Sequence, residues 1–194
     1  MGVMAKRVPA VVALVYRSGV VAGFAERAYA GRGASDGIDT VIRSLVENGI
    51  KPNSNVYAEL GSTWRFLMRD PDGAAHALGK LIKYCGENNV LWGTDSIWYG
   101  SPQDQIQAFR TFQISPQLRA QHGYTEITPA QRAKIFGLNA ARVYAISADD
   151  MKKHTRADAV GRERLAYREH PEPHYLTYGP KTRREFLTFA RAER

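Results

Sequence analysis

Three short apolar runs punctuate the chain, at residues 11–16, 55–60 and 90–94. Each is nearly continuous and rich in β-branched or aromatic residues, the pattern of strands buried on both faces of a parallel sheet. Between and after them the apolar positions fall at helical spacing. Ile38, Val41, Ile42 and Leu45 share one face, and Gly49 supplies a C-terminal stop. Asp70 followed by Pro71 is an N-cap with proline at the first helical position. A stripe of Ala74, Ala75, Leu78, Leu81, Ile82 and Cys85 then runs to Gly86. Ser101-Pro102-Gln103-Asp104 opens a further helix with Ile106 and Phe109 inward. Thr128-Pro129-Ala130-Gln131 is a capping box for a helix through Ile135 and Phe136. Gly137 and Asn139 are expected to break that helix before a short turn at 140–144. The order is strand, helix, strand, helix, strand, helix, helix, which implies a parallel sheet with helical cover.

The third run ends in Gly93-Thr94-Asp95, so a strand hands a carboxylate to the loop at its C-terminal end, where β/α barrels place their chemistry. The ten-residue connection from Leu60 to Asp70 reads as a loop carrying Trp64, Arg65 and Phe66 toward a ligand. Several side chains admit two readings. Asp95 is either an N-cap or a site carboxylate. Glu59 either leaves the core in an ion pair with Arg65 or Arg69, or lines a pocket mouth. Trp64, Trp98 and Tyr99 are either an aromatic substrate wall or core packing. Ser62 and Ser96 lack the paired histidine or the elbow motif of a nucleophile.

Composition narrows the picture. A chain of 194 residues, 44% hydrophobic and 24% charged, suits an ordinary soluble domain with a sizeable core. The net charge of +8 raises nucleic-acid binding. However, much of the excess lies in residues 152–194, where Lys and Arg alternate with acids and aromatics as on a solvated helical face. The single cysteine, Cys85, cannot form an intrachain disulfide, which fits a reducing, cytoplasmic compartment. It lies on an apolar helix face, as a buried thiol does. No apolar run is long enough to span a membrane. Residues 6–30 loosely imitate a secretory signal, but Arg17, Glu26 and Arg27 interrupt it, and a strand over 9–16 is the preferred reading. From about Ser147 the chain turns polar, basic and helical, with a Pro171-Glu172-Pro173 break and a Tyr178-Gly179-Pro180 turn. The expected organisation is therefore a β/α unit over 1–146 and a helical, basic extension over 147–194 packing on it.

Four stretches carry a family likeness: Gly37-Ile38-Asp39-Thr40, NVYAELGSTW at 55–64, VLWGTD at 90–95 and IFGLNAARVYAI at 135–146. Over roughly 37–146 the chain resembles the C-terminal part of the metal-dependent amidohydrolase superfamily. The resemblance implies part of a (β/α)8 TIM-like barrel, here about three parallel strands with covering helices. It also implies a divalent metal, zinc or manganese, that activates water to hydrolyse a C–N or C–O bond of a small molecule, or supports a decarboxylation. By the match, Asp95 is the last-strand carboxylate that touches metal and water and acts as base, while Glu59, Trp64, Trp98 and Tyr99 face substrate. The family's histidines are missing. None of His76, His122, His154, His170 and His174 follows a predicted strand, and a sixth-strand histidine would fall near Arg17, which cannot ligate a metal. The expectation is a chain that does not bind metal firmly and is inactive alone. The alternative is a non-catalytic module that self-associates or pairs with a complementing N-terminal half. The sequence is equally compatible with a natural short protein and with a truncated gene product.

Overall fold

The computed structural model describes residues 1–21, 23–33, 36–156, 158–170 and 182–192. Three strands form one sheet: β1 (Ala13–Val15), β2 (Val56–Glu59) and β3 (Val90–Leu91), in the order β1-β2-β3. Both pairings are parallel, with Ala13 opposite Val56 and Ala58 opposite Val90. Parallel neighbours need a crossover. Helix α2 (Ile38–Glu47) lies between β1 and β2, and α3 (Gly61–Leu67) with α4 (Pro71–Cys85) between β2 and β3. A short helix, α1 (Gly2–Arg7), precedes β1.

Alternation along the strands decides which face is covered. Ala13, Val15, Val56, Ala58 and Val90 join the core with Ile38, Ile42 and Leu45 of α2 and Leu78 and Leu81 of α4. Each large aliphatic side chain so buried contributes about 1.5–3 kcal/mol. Leu14, Tyr57 and Glu59 fall on the opposite face, and Leu14 is 43% exposed. The expectation of strands buried on both faces therefore fails for β1. Among the described residues it is an edge strand, and Val11, Val12 and Tyr16 beside it are exposed.

The 60–70 connection is not a loop. Residues 61–67 form α3, and its helical turn carries Trp64 inward while Phe66 stays exposed. The capped helices form as expected. Asp70 accepts a hydrogen bond from Gly73 N ahead of α4, and Gly86 ends that helix in a left-handed conformation, φ 103°. Thr128 and Gln131 form both bonds of the capping box.

After β3 come α5 (Ser96–Tyr99), α6 (Gln103–Thr111), α7 (Pro116–His122) and α8 (Pro129–Ala133). In α6, Gln105, Ala108 and Phe109 are buried, and Ile106 is only half-buried. The expected break at Gly137 does not occur. A π-turn over Lys134–Leu138 absorbs the glycine and passes directly into α9 (Asn139–Val143). The continuity has a purpose. Trp92 N donates to Ile135 O (3.0 Å), and Asn139 Nδ2 donates to Glu87 O (3.0 Å) and Val90 O (2.8 Å). Arg142 reaches Asn88 O at 2.5 Å. The α8–α9 segment thus clamps the entry and exit of the two-residue β3.

A buried ion cluster fixes the chain between β1 and α2. Lys80 of α4 is 1% exposed, with Nζ 2.6 Å from Glu26 Oε2 and 2.5 Å from Asp39 Oδ1. Glu26 Oε1 also accepts from Ile38 N (2.9 Å) at the start of α2.

The C-terminal segment forms α10 (Ala148–Arg156), α11 (Ala159–Glu169) and α12 (Arg183–Ala192). Phe186 of α12 joins the main core, and α12 packs against α6. The expected Pro171-Glu172-Pro173 break and Tyr178-Gly179-Pro180 turn lie outside the described residues. Among the described residues no helix is long and apolar enough to cross a membrane.

Candidate functional site

Three polar residues stand at or beyond the C-terminal ends of three adjacent strands: Arg17 two residues after β1, Glu59 at the end of β2, and Asp95 four residues after β3. Parallel strands bring these ends to the same edge of the sheet, and the side chains meet there. Asp95 Oδ2 accepts from Ser62 Oγ (2.6 Å), Tyr16 OH (2.8 Å) and Arg17 Nε (3.1 Å). Ser62 Oγ also lies 3.1 Å from Tyr99 OH. The Asp95 side chain is 12% exposed, the Arg17 side chain 41%.

Glu59 points to the same cluster but is held by backbone. Oε1 accepts from Gly61 N (2.7 Å) and Oε2 from Arg17 N (3.2 Å). It lies against Gly93, where a Cβ would collide with Oε1, so this strand-end glycine makes room for the carboxylate. Arg65 is paired with Asp104 at 2.7 Å. Arg17 is tied down as well: its carbonyl accepts from Thr63 Oγ1 (2.5 Å), and Ser18 Oγ donates to Glu59 O (2.7 Å).

The backbone here is strained. Arg17 (φ 56°), Ser18 (φ 48°) and Asp95 (φ 48°) all lie in the left-handed region that non-glycine residues seldom enter. Such conformations persist where surrounding bonds over-determine them, and they gather at functional sites.

The two carboxylates are shifted in opposite directions. Burial pushes the Glu59 carboxyl up, beyond what the Arg17 and Gly61 amides pull back, and the Asp95 charge adds to the rise. For Asp95, burial also acts upward. Bonds from Ser62, Tyr16 and Arg17 with the guanidinium charge together outweigh it, and the carboxyl lies below its ordinary 3.8. A carboxyl lowered by folding stabilises the fold above its unfolded pKa and stops doing so as pH falls through its folded value. The stability difference between the wild type and Asp95→Asn is therefore expected to be largest at neutral pH and to shrink as pH drops below about 4. Urea unfolding of both proteins from pH 7 to pH 3 checks this; a gap that stayed constant would remove Asp95 as the titrating group.

The expected site residues divide. Asp95, Glu59 and Tyr99 meet in the cluster. Trp98 follows Asp95 but turns its ring outward, 74% exposed. Trp64 is withdrawn into the core, 2% exposed, with Nε1 donating to Gln105 O (2.9 Å) and its ring edge-on to Phe109 and Phe112. Periodicity explains the swap: in α3 it is Phe66, not Trp64, that faces Tyr99, with ring centroids 6.2 Å apart. Tyr16 and Ser62 were missed as partners of Asp95. Their only sequence signal is position, one at the end of an apolar run and one three residues after Glu59.

A family model described as amidohydrolase matches residues 51–146, which holds β2, β3, Glu59, Ser62, Tyr99, Asp95 and the α8–α9 clamp. Over these residues the chain is similar to the amidohydrolase family. Searches of curated proteins and of solved structures gave no match. Amidohydrolases generally use divalent metals, and the donors at Asp95 decide whether such an ion fits. A tight site for such an ion takes three or four converging ligands. Among the described residues no group of three or more His, Cys, Asp or Glu side chains is placed to hold one. Asp95 Oδ2 already receives three donors, both Glu59 oxygens accept backbone N–H groups, and a permanent cation stands 3.1 Å from Asp95. The described residues around Asp95 do not fit a divalent ion. His76 and His122 lie elsewhere, on α4 and α7, with ring centroids 5.1 Å apart and His76 Nδ1 3.2 Å from Tyr124 OH.

Proposed function

We propose that this chain carries the C-terminal strands of an amidohydrolase barrel, with Asp95 as the retained last-strand carboxylate, and that the 194-residue chain alone does not turn over substrate. The observation that carries the reading is the convergence of Arg17, Glu59 and Asp95 at the C-terminal ends of three adjacent parallel strands, where barrel enzymes place their chemistry. The ancestral reaction is hydrolysis of a small molecule, or a decarboxylation, by metal-activated water. Asp95 is the residue that would have touched metal and water, with Glu59, Trp98 and Tyr99 toward substrate. The donors among the described residues do not fit the ion, and this supports the expectation that the chain on its own is inactive. The test is a hydrolase screen on purified protein supplied with zinc or manganese. No turnover is expected. Hydrolysis that disappears in Asp95→Asn would overturn the reading.

A second reading, a non-catalytic module that pairs with a complementing barrel half or with itself, is favoured by one specific observation. Among the described residues β1 pairs only with β2, and Val11 and Val12 just before it and Leu14 on its open face are exposed. An unpaired apolar edge is a template for another strand. Sedimentation at low micromolar concentration tests it: a stably folded monomer would count against the module.

A further inference from the structure

We infer that the Arg17 guanidinium is the built-in counter-cation of this site, held against Asp95 where a metal-binding site would need its ion, so that the strand ends are braced without any metal. The inference deepens the reading of Asp95 as the last-strand carboxylate and rests on it. The Arg17 side chain is 41% exposed, but the residue's backbone is fixed on both sides and this aims the guanidinium at Asp95. Its backbone N–H is bound by Glu59, its carbonyl by Thr63 and its Nε by Asp95. Three separate elements, the end of β2, the first turn of α3 and the end of β3, therefore fix one residue in a left-handed conformation. Strain at that position is tolerated only because these bonds compensate it.

The balance of charge points the same way. Asp95 is largely shielded from solvent and needs a cation or several donors to remain ionised. It has both within the chain, from Arg17, Tyr16 and Ser62. A guanidinium does not lose its proton in proteins, so this cation, unlike a bound metal, is present at every working pH and at every metal concentration. The consequence is a change of role. In a metal site the ligands are held apart for the ion by the fold. In this chain the same corner draws Tyr16-Arg17, Glu59, Ser62 and Asp95 together, and the fold leans on them.

The experiment uses the full chain in wild-type form and as Arg17→Gln, Asp95→Asn and the double variant. Urea unfolding and elemental analysis are run after exposure to zinc chloride or manganese chloride. Wild-type protein is expected to retain only substoichiometric metal, with no shift of its unfolding midpoint. Each single variant is expected to lower the folding equilibrium constant about three- to ten-fold, and the double variant to lose no more than the worse single. If Arg17→Gln cannot be purified folded, Arg17→Met, which also removes the cation but keeps the aliphatic stem, closes the same cycle. Additive losses with no metal bound would overturn the brace and leave the proposed function standing. Stoichiometric metal in the wild type that Asp95→Asn removes would overturn the brace and reopen the question of turnover.

Discussion

Lys80→Met is expected to bring the protein to the edge of unfolding at neutral pH. The methionine matches the length of the lysine stem, so the loss is of charge rather than volume. It leaves Glu26, whose side chain is fully buried, and Asp39, whose side chain is 12% exposed, facing each other without their cation. Breaking a buried ion pair by removing one partner costs about 3–5 kcal/mol, because the remaining charge is stranded in a poorly solvated place. A domain of this size has only about 5–15 kcal/mol in hand. The damage should be local first. Glu26 also holds Ile38 N at the start of α2, so the segment between β1 and α2 should detach before the sheet does. Chemical denaturation with limited proteolysis checks both points. The double variant Lys80→Met/Glu26→Gln should recover part of the loss, and a Lys80→Met protein within about 1 kcal/mol of wild type would contradict the stranded-charge argument.

Trp64→Ala should be nearly as costly, about 3–5 kcal/mol, through the cavity it leaves among Phe109, Phe112 and Phe186. It also orphans the Gln105 carbonyl, which accepts from the indole N–H. Its reach extends to the polar cluster, since α3 opens with Gly61, Ser62 and Thr63. These bind Glu59, Asp95 and the Arg17 carbonyl. Trp64→Phe keeps most of the volume and should lose only about 1–2 kcal/mol with the hydrogen bond. Equal losses for Phe and Ala would mean that the hydrogen bond, not the packing, is what matters; urea unfolding of the two variants decides it.

What could be read from the sequence was what local chemistry encodes. Asp70-Pro71, Gly86 and the Thr128–Gln131 box act over a few residues and mark their helices correctly. Residues 90–95 mark a strand before Asp95, but it is shorter than the expected 90–94: β3 ends at Leu91, and Asp95 follows four residues later at the start of α5. Helix α3 escaped because it begins with Gly61-Ser62-Thr63, poor helix formers with no side-chain cap, and is held by tertiary contacts instead. Gly137 misled for the complementary reason. A Cβ there would meet nothing, so glycine is tolerated in a helix whose register is set by the β3 clamp. The Lys80–Glu26–Asp39 cluster joins residues 41 and 54 apart, and no local pattern announces it. Arg17 lies near where the resemblance implies a histidine, but its bond to Asp95 spans 78 residues and is visible only in three dimensions.

The clamp on β3 has a consequence for the order in which the chain can be completed during synthesis. β3 has only two residues, and the carbonyls of Glu87 and Val90 are tied to Asn139, which leaves the ribosome 49 residues after Val90. Until Asn139 and Arg142 emerge, β1 and β2 can pair, but β3, which leads to Asp95, lacks the bonds that hold its outer side. The nascent polypeptide must therefore carry its last strand unsecured for about a quarter of its length, the interval in which a chaperone or a protease would find it.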